Sequence, residues 1–231
     1  MIVAIDGPAG AGKSTVAKRL ADRLGFDFLD TGAMYRAVAL AGLRRGIDWD
    51  DADALAGLAR TLDIRFEHPR ILLNGEDVST AIRANETTVA VRYVADHADV
   101  RQHLVRLQRQ FAVGRNLVTE GRDQGTLVFP DAACKFFLNA SARERARRRV
   151  ADLQARGQQV PFEDILRQQQ RRDDEDRRRP LGALIKAPDA VEIDTDGLSL
   201  DQVVQRLEQI VRQRVEQSAG EPTGVATRER S

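Results

Sequence analysis

Residues 2–15, Ile-Val-Ala-Ile-Asp-Gly-Pro-Ala-Gly-Ala-Gly-Lys-Ser-Thr, decide the fold of this chain. The first four are a short β-rich apolar run, which is typical of a buried parallel strand. Residues 7–14 then fit the pattern G-x-x-x-x-G-K-[ST], whose glycines let successive backbone N–H groups curl around an anion. Residues 13–24 predict a helix whose positive N-terminal end faces the same anion. The stretch therefore predicts a strand, a phosphate loop and a helix that together bind a nucleotide.

The loop pattern gives individual residues expected roles. Lys13 is expected to reach the β- and γ-phosphates of ATP, and the hydroxyl of Ser14 is expected to hold Mg²⁺. We predict ATP contacts from nine consecutive residues: Gly7, Pro8, Ala9, Gly10, Ala11, Gly12, Lys13, Ser14 and Thr15. The alternative is a glycine-rich turn without a ligand. It is disfavoured because a chance match to the four fixed positions is on the order of 1% at a Gly usage of about 7%.

The composition excludes several classes of protein. The 231 residues suffice for one α/β domain with insertions, and 36 Lys and Arg against 35 Asp and Glu leave a formal net charge of +1. That balance gives no field that would attract nucleic acid or a membrane. No apolar run approaches about 18 residues and a strand begins at residue 2, so neither a membrane span nor a signal peptide is expected. Cys134 is the single cysteine, and we expect a monomeric, cytoplasmic enzyme.

Four further apolar runs continue an alternation of strands and helices. We predict strands at residues 26–30, 116–120, 134–138 and 191–194. The first of these is expected to lie beside residues 2–5. Helices are predicted at 33–43, 50–61, 78–95, 99–113, from 141 to an interruption at Gly157 and Pro161, at 162–172 and at 200–215. The fold class is therefore α/β, with a five-stranded parallel sheet of the P-loop NTPase type flanked by helices.

A single domain is expected over residues 1–215, with one inserted subdomain in its first half and a tail after its end. Residues 64–67 and 71–73 alternate and are followed by turn residues, so they predict a small antiparallel sheet. This sheet breaks the strand–helix alternation and marks an inserted subdomain at 60–100. Residues 216–231 are rich in Gly, Glu, Pro, Thr, Arg and Ser, and we expect a disordered tail there.

An arginine-rich segment at residues 145–180 allows two interpretations. Phosphoryl transfer needs cations around the transferring group with water kept out, and Gly157 and Pro161 interrupt the segment, so it is a candidate for a mobile lid. The alternative is a solvated helix with ion pairs such as Arg172 with Asp176. The four acids at 173–176 disfavour a nucleic-acid surface, which would need a basic face of one sign.

Polar side chains follow two of the predicted strands. Asp30, Thr31 and Arg36 lie at or beyond the end of one strand, and Glu120 and Arg122 lie at the end of another. Ligands bind at the carboxyl ends of parallel strands. We therefore expect Arg122 to meet phosphate oxygens, with Glu120 as a candidate to join Ser14 at Mg²⁺.

With these motifs in place, the chain resembles the bacterial cytidylate kinases from residue 1 to about 215. The resemblance rests on IDGPAGAGKS at 5–14, LDTGAMYR at 29–36, EGRDQGTLVFPD at 120–131 and RDDEDR at 172–177. It implies transfer of the γ-phosphoryl group of Mg-ATP to CMP or dCMP, in pyrimidine nucleotide metabolism, without nucleic-acid or membrane partners. The small sheet fits the enlarged monophosphate-binding region of this family.

The resemblance also implies roles for individual residues. Asp123 corresponds to the carboxylate that faces the cytosine amino group, and Asp176 lies near the sugar. The residues implied to contact CMP are Thr31, Arg36, Arg101, Arg122, Asp123, Asp176 and Arg179. The residues implied to act in catalysis are Lys13, Arg122, Arg172 and Arg179.

Three positions depart from the family pattern. Gln124 replaces a usually apolar residue, with little expected consequence. Glu120 stands where Asp is common, which lengthens the reach to Mg²⁺. Arg92 stands where a small hydroxyl residue that contacts the base is expected. Strict preference for cytosine is therefore less firmly indicated than the reaction.

Two other functions compete with this interpretation. One is a P-loop kinase for another small acceptor, such as a different nucleotide, a sugar acid or shikimate. The inserted sheet and the Arg–Asp motifs disfavour it. The other is a nucleotide-dependent switch or a nucleic-acid-remodelling module, which would hydrolyse ATP without an acceptor and would need a partner surface that this sequence does not indicate.

Overall fold

Five parallel strands form the central sheet in the computed structural model, which describes residues 1–67, 69–155 and 157–220. From one edge to the other, the strands are β2 (Asp27–Asp30), β6 (Leu117–Glu120), β1 (Ile2–Asp6), β7 (Cys134–Asn139) and β8 (Val191–Asp194). The middle strands are buried and apolar, as a parallel sheet covered on both faces requires. The predicted five-stranded parallel sheet is confirmed.

Helices cover both faces of this sheet. In the part of the chain that the structure describes, the α-helices are α1 (Lys13–Leu24), α2 (Thr31–Arg45), α3 (Ala52–Thr61), α4 (Asn85–Asp96), α5 (Ala98–Ala112), α6 (Ala142–Ala155), α7 (Phe162–Arg178) and α8 (Leu200–Gly220). Helices α2 to α5 pack on one face in a core that includes Leu29 and Leu104, and α1 and α8 pack on the other around Leu20 and Leu207. None of the described helices is long and apolar enough to cross a membrane.

The prediction that β2 lies beside β1 is wrong. β2 pairs with β6, with Asp30 beside Glu120, and β6 separates β2 from β1. The connection from β1 through α1 to β2 therefore skips one strand position in the sheet. β6, which follows the inserted region in the sequence, occupies that position. As a result, the carboxylates of Asp30 and Glu120 lie at the ends of adjacent strands.

Three helix boundaries also differ from the prediction. α2 begins at Thr31, without a preceding turn, because the Asp30 carboxylate accepts the Ala33 N–H at 2.8 Å and caps the helix directly. The helix predicted at 78–95 is a 3₁₀ turn at Ala81–Arg83 followed by α4, because Ala84 has an extended backbone. α7 continues past residue 172 to Arg178.

The predicted disordered tail is wrong for its first residues. α8 continues through residues 216–220, which were expected to lie in the tail. Each residue added to an existing helix gains a backbone hydrogen bond without a new nucleation cost, so the helix extends past its last buried turn. Residues 221–231 lie outside the described residues.

A three-stranded antiparallel sheet stands apart from the central one. It consists of β3 (Ile64–Glu67), β4 (Arg70–Leu73) and β5 (Glu76–Asp77). The predicted small sheet is confirmed, and β5 adds a third short strand that the prediction lacked. His68, between β3 and β4 in the sequence, lies outside the described residues.

A buried ion pair joins α6 and α7 to the phosphate loop. Arg145 donates to both carboxylate oxygens of Asp173, at 3.1 and 2.5 Å, and the two side chains are each 4% exposed. The same guanidinium donates to the backbone carbonyls of Ala9 and Ala140 at 3.0 Å each. Arg145 therefore fixes the hairpin of α6 and α7 to the loop. The lid interpretation expected the arginines of this segment to reach phosphates, and Arg145 is not free to do so.

Loss of one partner of this pair should destabilise the fold. Asp173→Ala leaves the Arg145 guanidinium buried without its carboxylate, which costs about 3–5 kcal/mol. Asp174→Ala is the matched control on the same helix, because Asp174 meets Arg177 at 3.5 Å with both side chains more than half exposed. It should cost less than about 1 kcal/mol. The free energies of unfolding in urea test this, and equal losses in the two variants would contradict it.

Candidate active site

The phosphate loop lies between β1, the central strand of the sheet, and α1. Gly10 and Gly12 have φ values of +82° and +89°, in the left-handed region. Gly7 has φ +147°, and a Cβ there would overlap the backbone carbonyl oxygen of Leu138 on β7. The backbone of the loop thus approaches the neighbouring strand at a point that only glycine tolerates.

The Lys13 ammonium is folded back into this loop. Its Nζ donates to the Pro8 carbonyl oxygen at 2.8 Å, and the residue is only 5% exposed. Burial, together with the neighbouring Arg122, lowers the pKa of Lys13 to about 7. The group is therefore placed where phosphate oxygens would replace the carbonyl and restore its charge.

Oxygen donors beside the loop fit a magnesium ion. The Ser14 hydroxyl donates to Glu120 Oε1 at 2.7 Å, at the end of β6. Burial, with the nearby Asp30, raises the pKa of Glu120. A hydroxyl and a carboxylate next to a phosphate cradle are the ligand types that Mg²⁺ accepts. Asp30 adds a second carboxylate at the same edge of the sheet.

A cavity of about 500 Å³ opens in front of the loop, between α2, α4 and α7. It brings together the side chains that were predicted separately along the sequence: Lys13, Ser14, Thr31, Arg36, Arg101, Glu120, Arg122, Asp123, Arg172, Asp176 and Arg179. Of the nine residues predicted to contact ATP, Ala9, Gly10, Lys13 and Ser14 lie in its wall, and Gly7, Pro8, Ala11, Gly12 and Thr15 do not. The Thr31 hydroxyl donates to the Glu120 carbonyl oxygen at 2.7 Å, so it also fixes the start of α2 to β6.

A carboxylate holds the arginines on one side of this cavity. Asp176 accepts from Arg122 and from Arg179, each at 2.8 Å, rather than from Arg172 as the solvated-helix alternative supposed. Burial alone would raise the pKa of Asp176, but Arg122 and Arg179 hold it at about 2. Arg36 is paired with Asp30 at 3.2 Å, and its buried Nε has no partner among the described residues. These cations surround a space that fits phosphate groups.

A second buried ion pair lies on the other side. Arg101 donates to the Asp123 carboxylate, and the two side chains are 3% and 6% exposed. The Arg101 guanidinium lies 5.4 Å from the centre of the Tyr35 ring, and its Nε has no partner among the described residues. Burial raises the pKa of Asp123, against the opposing effect of Arg101. The pair therefore presents donors and acceptors to the cavity, which fits the edge of a base.

Sequence reasoning missed Asp6, which joins the end of β1, just before the phosphate loop, to the turn that follows Asp123. Its carboxylate accepts the backbone N–H groups of Gln124 and Gly125 at 2.8 and 2.7 Å, at the start of a π-helical turn, Gln124–Val128. Burial raises the pKa of Asp6 to about 6. A charged residue at the end of an apolar strand was the available signal.

The structure places the unexpected Arg92 on α4, in the wall of the cavity. Its guanidinium donates to the Tyr93 hydroxyl at 2.8 Å and lies over that ring. Thr88, one turn earlier on α4, also lines the cavity, but its hydroxyl donates to the Ala84 carbonyl oxygen. A small hydroxyl residue was expected at the position of Arg92. Thr88 brings a hydroxyl group to the cavity wall one turn away.

The central parallel sheet, the phosphate loop and the arginines that converge on it define a P-loop phosphotransferase. Residues 3–213 match the family model described as cytidylate kinase. Curated cytidylate kinases from Rhodopirellula baltica and Geobacter sulfurreducens are 50% and 48% identical to the chain, over 95% of it and 96% of each relative. One from Vibrio cholerae is 46% identical over 93% of this chain and 97% of that relative. The chain belongs to the cytidylate kinase family.

Binding of nucleotide phosphates should restore the charge of Lys13. With a pKa of about 7, well below the usual 10.5, Lys13 is mostly neutral at pH 8 in the free protein. ATP binding at pH 8 should therefore take up on the order of one proton. The uptake should disappear near pH 6, where Lys13 is already charged. Calorimetry in two buffers of different ionisation enthalpy measures it.

Lys13→Arg is the matched control for this measurement, because arginine stays charged at both pH values. The variant should bind ATP at pH 8 without the proton uptake of the wild type. Equal uptake in the two proteins would show that another group titrates, and would contradict the assignment to Lys13.

Proposed function

We propose that this protein transfers the γ-phosphoryl group of ATP to CMP or dCMP, giving ADP and CDP or dCDP. The observation that carries the proposal is the buried carboxylate of Asp123, which shares one cavity with Lys13 of the phosphate loop. Membership of the cytidylate kinase family supports it. The cavity provides a place for a donor phosphate chain and for an acceptor nucleotide in front of it.

The donor side is proposed to act through charge and position. Phosphoryl transfer needs little covalent help from a protein, because most of the barrier is lowered by positioning and by compensation of charge on the transferring group. Lys13, Arg122, Arg172 and Arg179 line the cavity and are proposed to supply that compensation. Asp176 keeps two of these guanidinium groups in place.

Magnesium is proposed to bind with ATP beside the same loop. Ser14 and Glu120 would hold it, and the ion would neutralise charge on the phosphate oxygens. The hydrogen bond between these two side chains keeps their oxygen atoms adjacent. The remaining residues of the loop, from Gly7 to Thr15, are proposed to surround the ATP phosphates, and all of them except Pro8, which has no N–H, to donate backbone hydrogen bonds.

The acceptor side is proposed to bind the monophosphate and to read the base. Arg36, with Thr31 beside it, would bind the acceptor phosphate, and Asp176 is proposed to accept a hydrogen bond from a sugar hydroxyl. Arg101 and Asp123 would contact the cytosine ring. A carboxylate accepts a hydrogen bond from the cytosine amino group, whereas uracil presents a carbonyl oxygen there, which leaves the buried acceptor unpaired.

The larger organisation of the chain follows from this assignment. We propose that residues 60–100 form a subdomain that binds the acceptor, and that residues 145–180 close over it as a lid anchored through Arg145. We also propose that the protein acts as a monomer in the cytoplasm and needs no nucleic acid. The lone thiol, Cys134, is buried in the central sheet, and burial raises its pKa.

Removal of the Asp123 carboxylate should lower activity with CMP more than activity with UMP. Asp123→Ala should lower kcat/KM for CMP by about 10- to 150-fold, because a charge-assisted hydrogen bond is worth about 1.5–3 kcal/mol. The effect on UMP should be much smaller. Arg122→Ala is the comparison variant, because loss of a phosphate contact should lower kcat/KM for both substrates by similar factors.

Steady-state kinetics with both nucleotides in both variants tests this assignment. If Asp123→Ala lowers kcat/KM for CMP and for UMP equally, Asp123 does not recognise the base. If the wild type uses neither nucleotide, the proposed reaction itself is wrong.

Ligands should protect the proposed lid from proteolysis. Phosphate groups of the two bound nucleotides supply anions that hold the arginines of α6 and α7 in the closed arrangement. Trypsin should therefore cut between α6 and α7 in the free protein and several times more slowly with ADP and CMP bound. Mass spectrometry of the fragments locates the cut. Cleavage there at the same rate with and without ligands would support a fixed hairpin instead.

A further inference from the structure

The segment that follows α7 passes directly over the Arg101–Asp123 ion pair. We name residues 180–183 the covering turn. Gly182 lies at its centre with φ +72°, in the left-handed region. A methyl group built on its Cα would overlap both Arg101 Nη2 and Asp123 Oδ2. A side chain at this position therefore requires either the covering turn or the ion pair to move.

The covering turn is held on both sides. Before it, Arg179 donates to Asp96 at 2.7 Å and to Asp176 at 2.8 Å. After it, the N–H of the buried Leu184 donates to the Asp176 carbonyl oxygen at 2.9 Å. The backbone is thus anchored within a few residues of Gly182 in each direction. A side chain at position 182 would therefore displace the Arg101 guanidinium and the Asp123 carboxylate more easily than this backbone.

The ion pair has partners on its other sides as well. Arg101 Nη1 donates to the Ala95 carbonyl oxygen at 3.1 Å, and the guanidinium lies against the Tyr35 ring. Asp123 immediately precedes the π-helical turn whose first N–H is bound by Asp6. With these contacts below and the covering turn above, the carboxylate of Asp123 has one packed position. A displacement from above would change the direction in which it faces the cavity.

We propose that Gly182 is a positioning residue for base discrimination. Its lack of a side chain lets the covering turn press onto the Arg101–Asp123 pair and fix the carboxylate where it meets the amino group of the acceptor base. This inference rests on the proposed function, in which that pair reads the base. It adds a residue that touches no substrate and still determines which pyrimidine is accepted.

A matched pair of glycine variants tests the proposal. Gly114 also has φ +72°, and a Cβ there has nothing within 4 Å. Gly182→Ala and Gly114→Ala therefore both place a side chain at the same positive φ, and only the first meets the ion pair. Gly182→Ala should lower kcat/KM for CMP by about tenfold, mainly through KM, and that for UMP by less than about threefold. KM for ATP should not change, and Gly114→Ala should keep the wild-type ratio of CMP to UMP.

Pro180→Gly keeps the test decisive if Gly182→Ala does not fold. Pro180 is exposed in the same turn, and its replacement adds backbone freedom without adding a side chain. It should lower the CMP-to-UMP ratio in the same direction by a smaller factor. A wild-type ratio in every folded variant of the covering turn would overturn the inference.

The wild-type protein separates the two ways in which the account could fail. If it phosphorylates CMP in preference to UMP while the covering-turn variants keep the same ratio, the inference about Gly182 is wrong and the proposed function stands. If it does not phosphorylate CMP, the proposed function is wrong and the inference falls with it.

Discussion

The carboxylate of Asp176 joins parts of the molecule that belong to different apolar clusters. It accepts from Arg122, which follows β6, and from Arg179, which follows α7, and Arg179 also binds Asp96 at the end of α4. Buried guanidinium groups are costly unless a carboxylate compensates them. The cavity keeps its shape because Asp176 holds two cations that would otherwise repel each other across it. Its low pKa, about 2, keeps that charge present over the whole physiological range.

The two sides of the cavity are built by different means. The phosphate loop is fixed through its backbone, since Gly7 packs on the Leu138 carbonyl and Arg145 donates to the carbonyl of Ala9. The opposite side depends on ion pairs between side chains, and a phosphate can replace a carboxylate as the partner of an arginine. A fixed phosphate loop and a set of ion pairs whose carboxylates phosphates can replace are consistent with the proposed kinase, whose substrates enter and leave in every turnover.

Local sequence was sufficient for the elements and insufficient for their long-range partners. Glycine spacing and apolar periodicity predicted α1 at its observed bounds, and strand ends indicated which side chains would share the cavity. The order of β2 and β6 was predicted wrongly, because periodicity carries no information about neighbours in a sheet. Arg145 and Arg147 look alike in the sequence, yet the first is buried against Asp173 and the second is exposed. Tertiary packing alone makes that distinction.

The proposed acceptor preference is measured most directly by the rate of ADP formation from Mg-ATP with one acceptor at a time: CMP, dCMP, UMP, AMP, GMP and shikimate, and with none. The highest kcat/KM is expected with CMP or dCMP, with one CDP or dCDP formed for each ADP and almost no ADP without an acceptor. ADP formed at the same rate without an acceptor would indicate a nucleotide-dependent switch. A higher kcat/KM with any of the four other acceptors would show that the buried Arg101–Asp123 pair does not select cytosine.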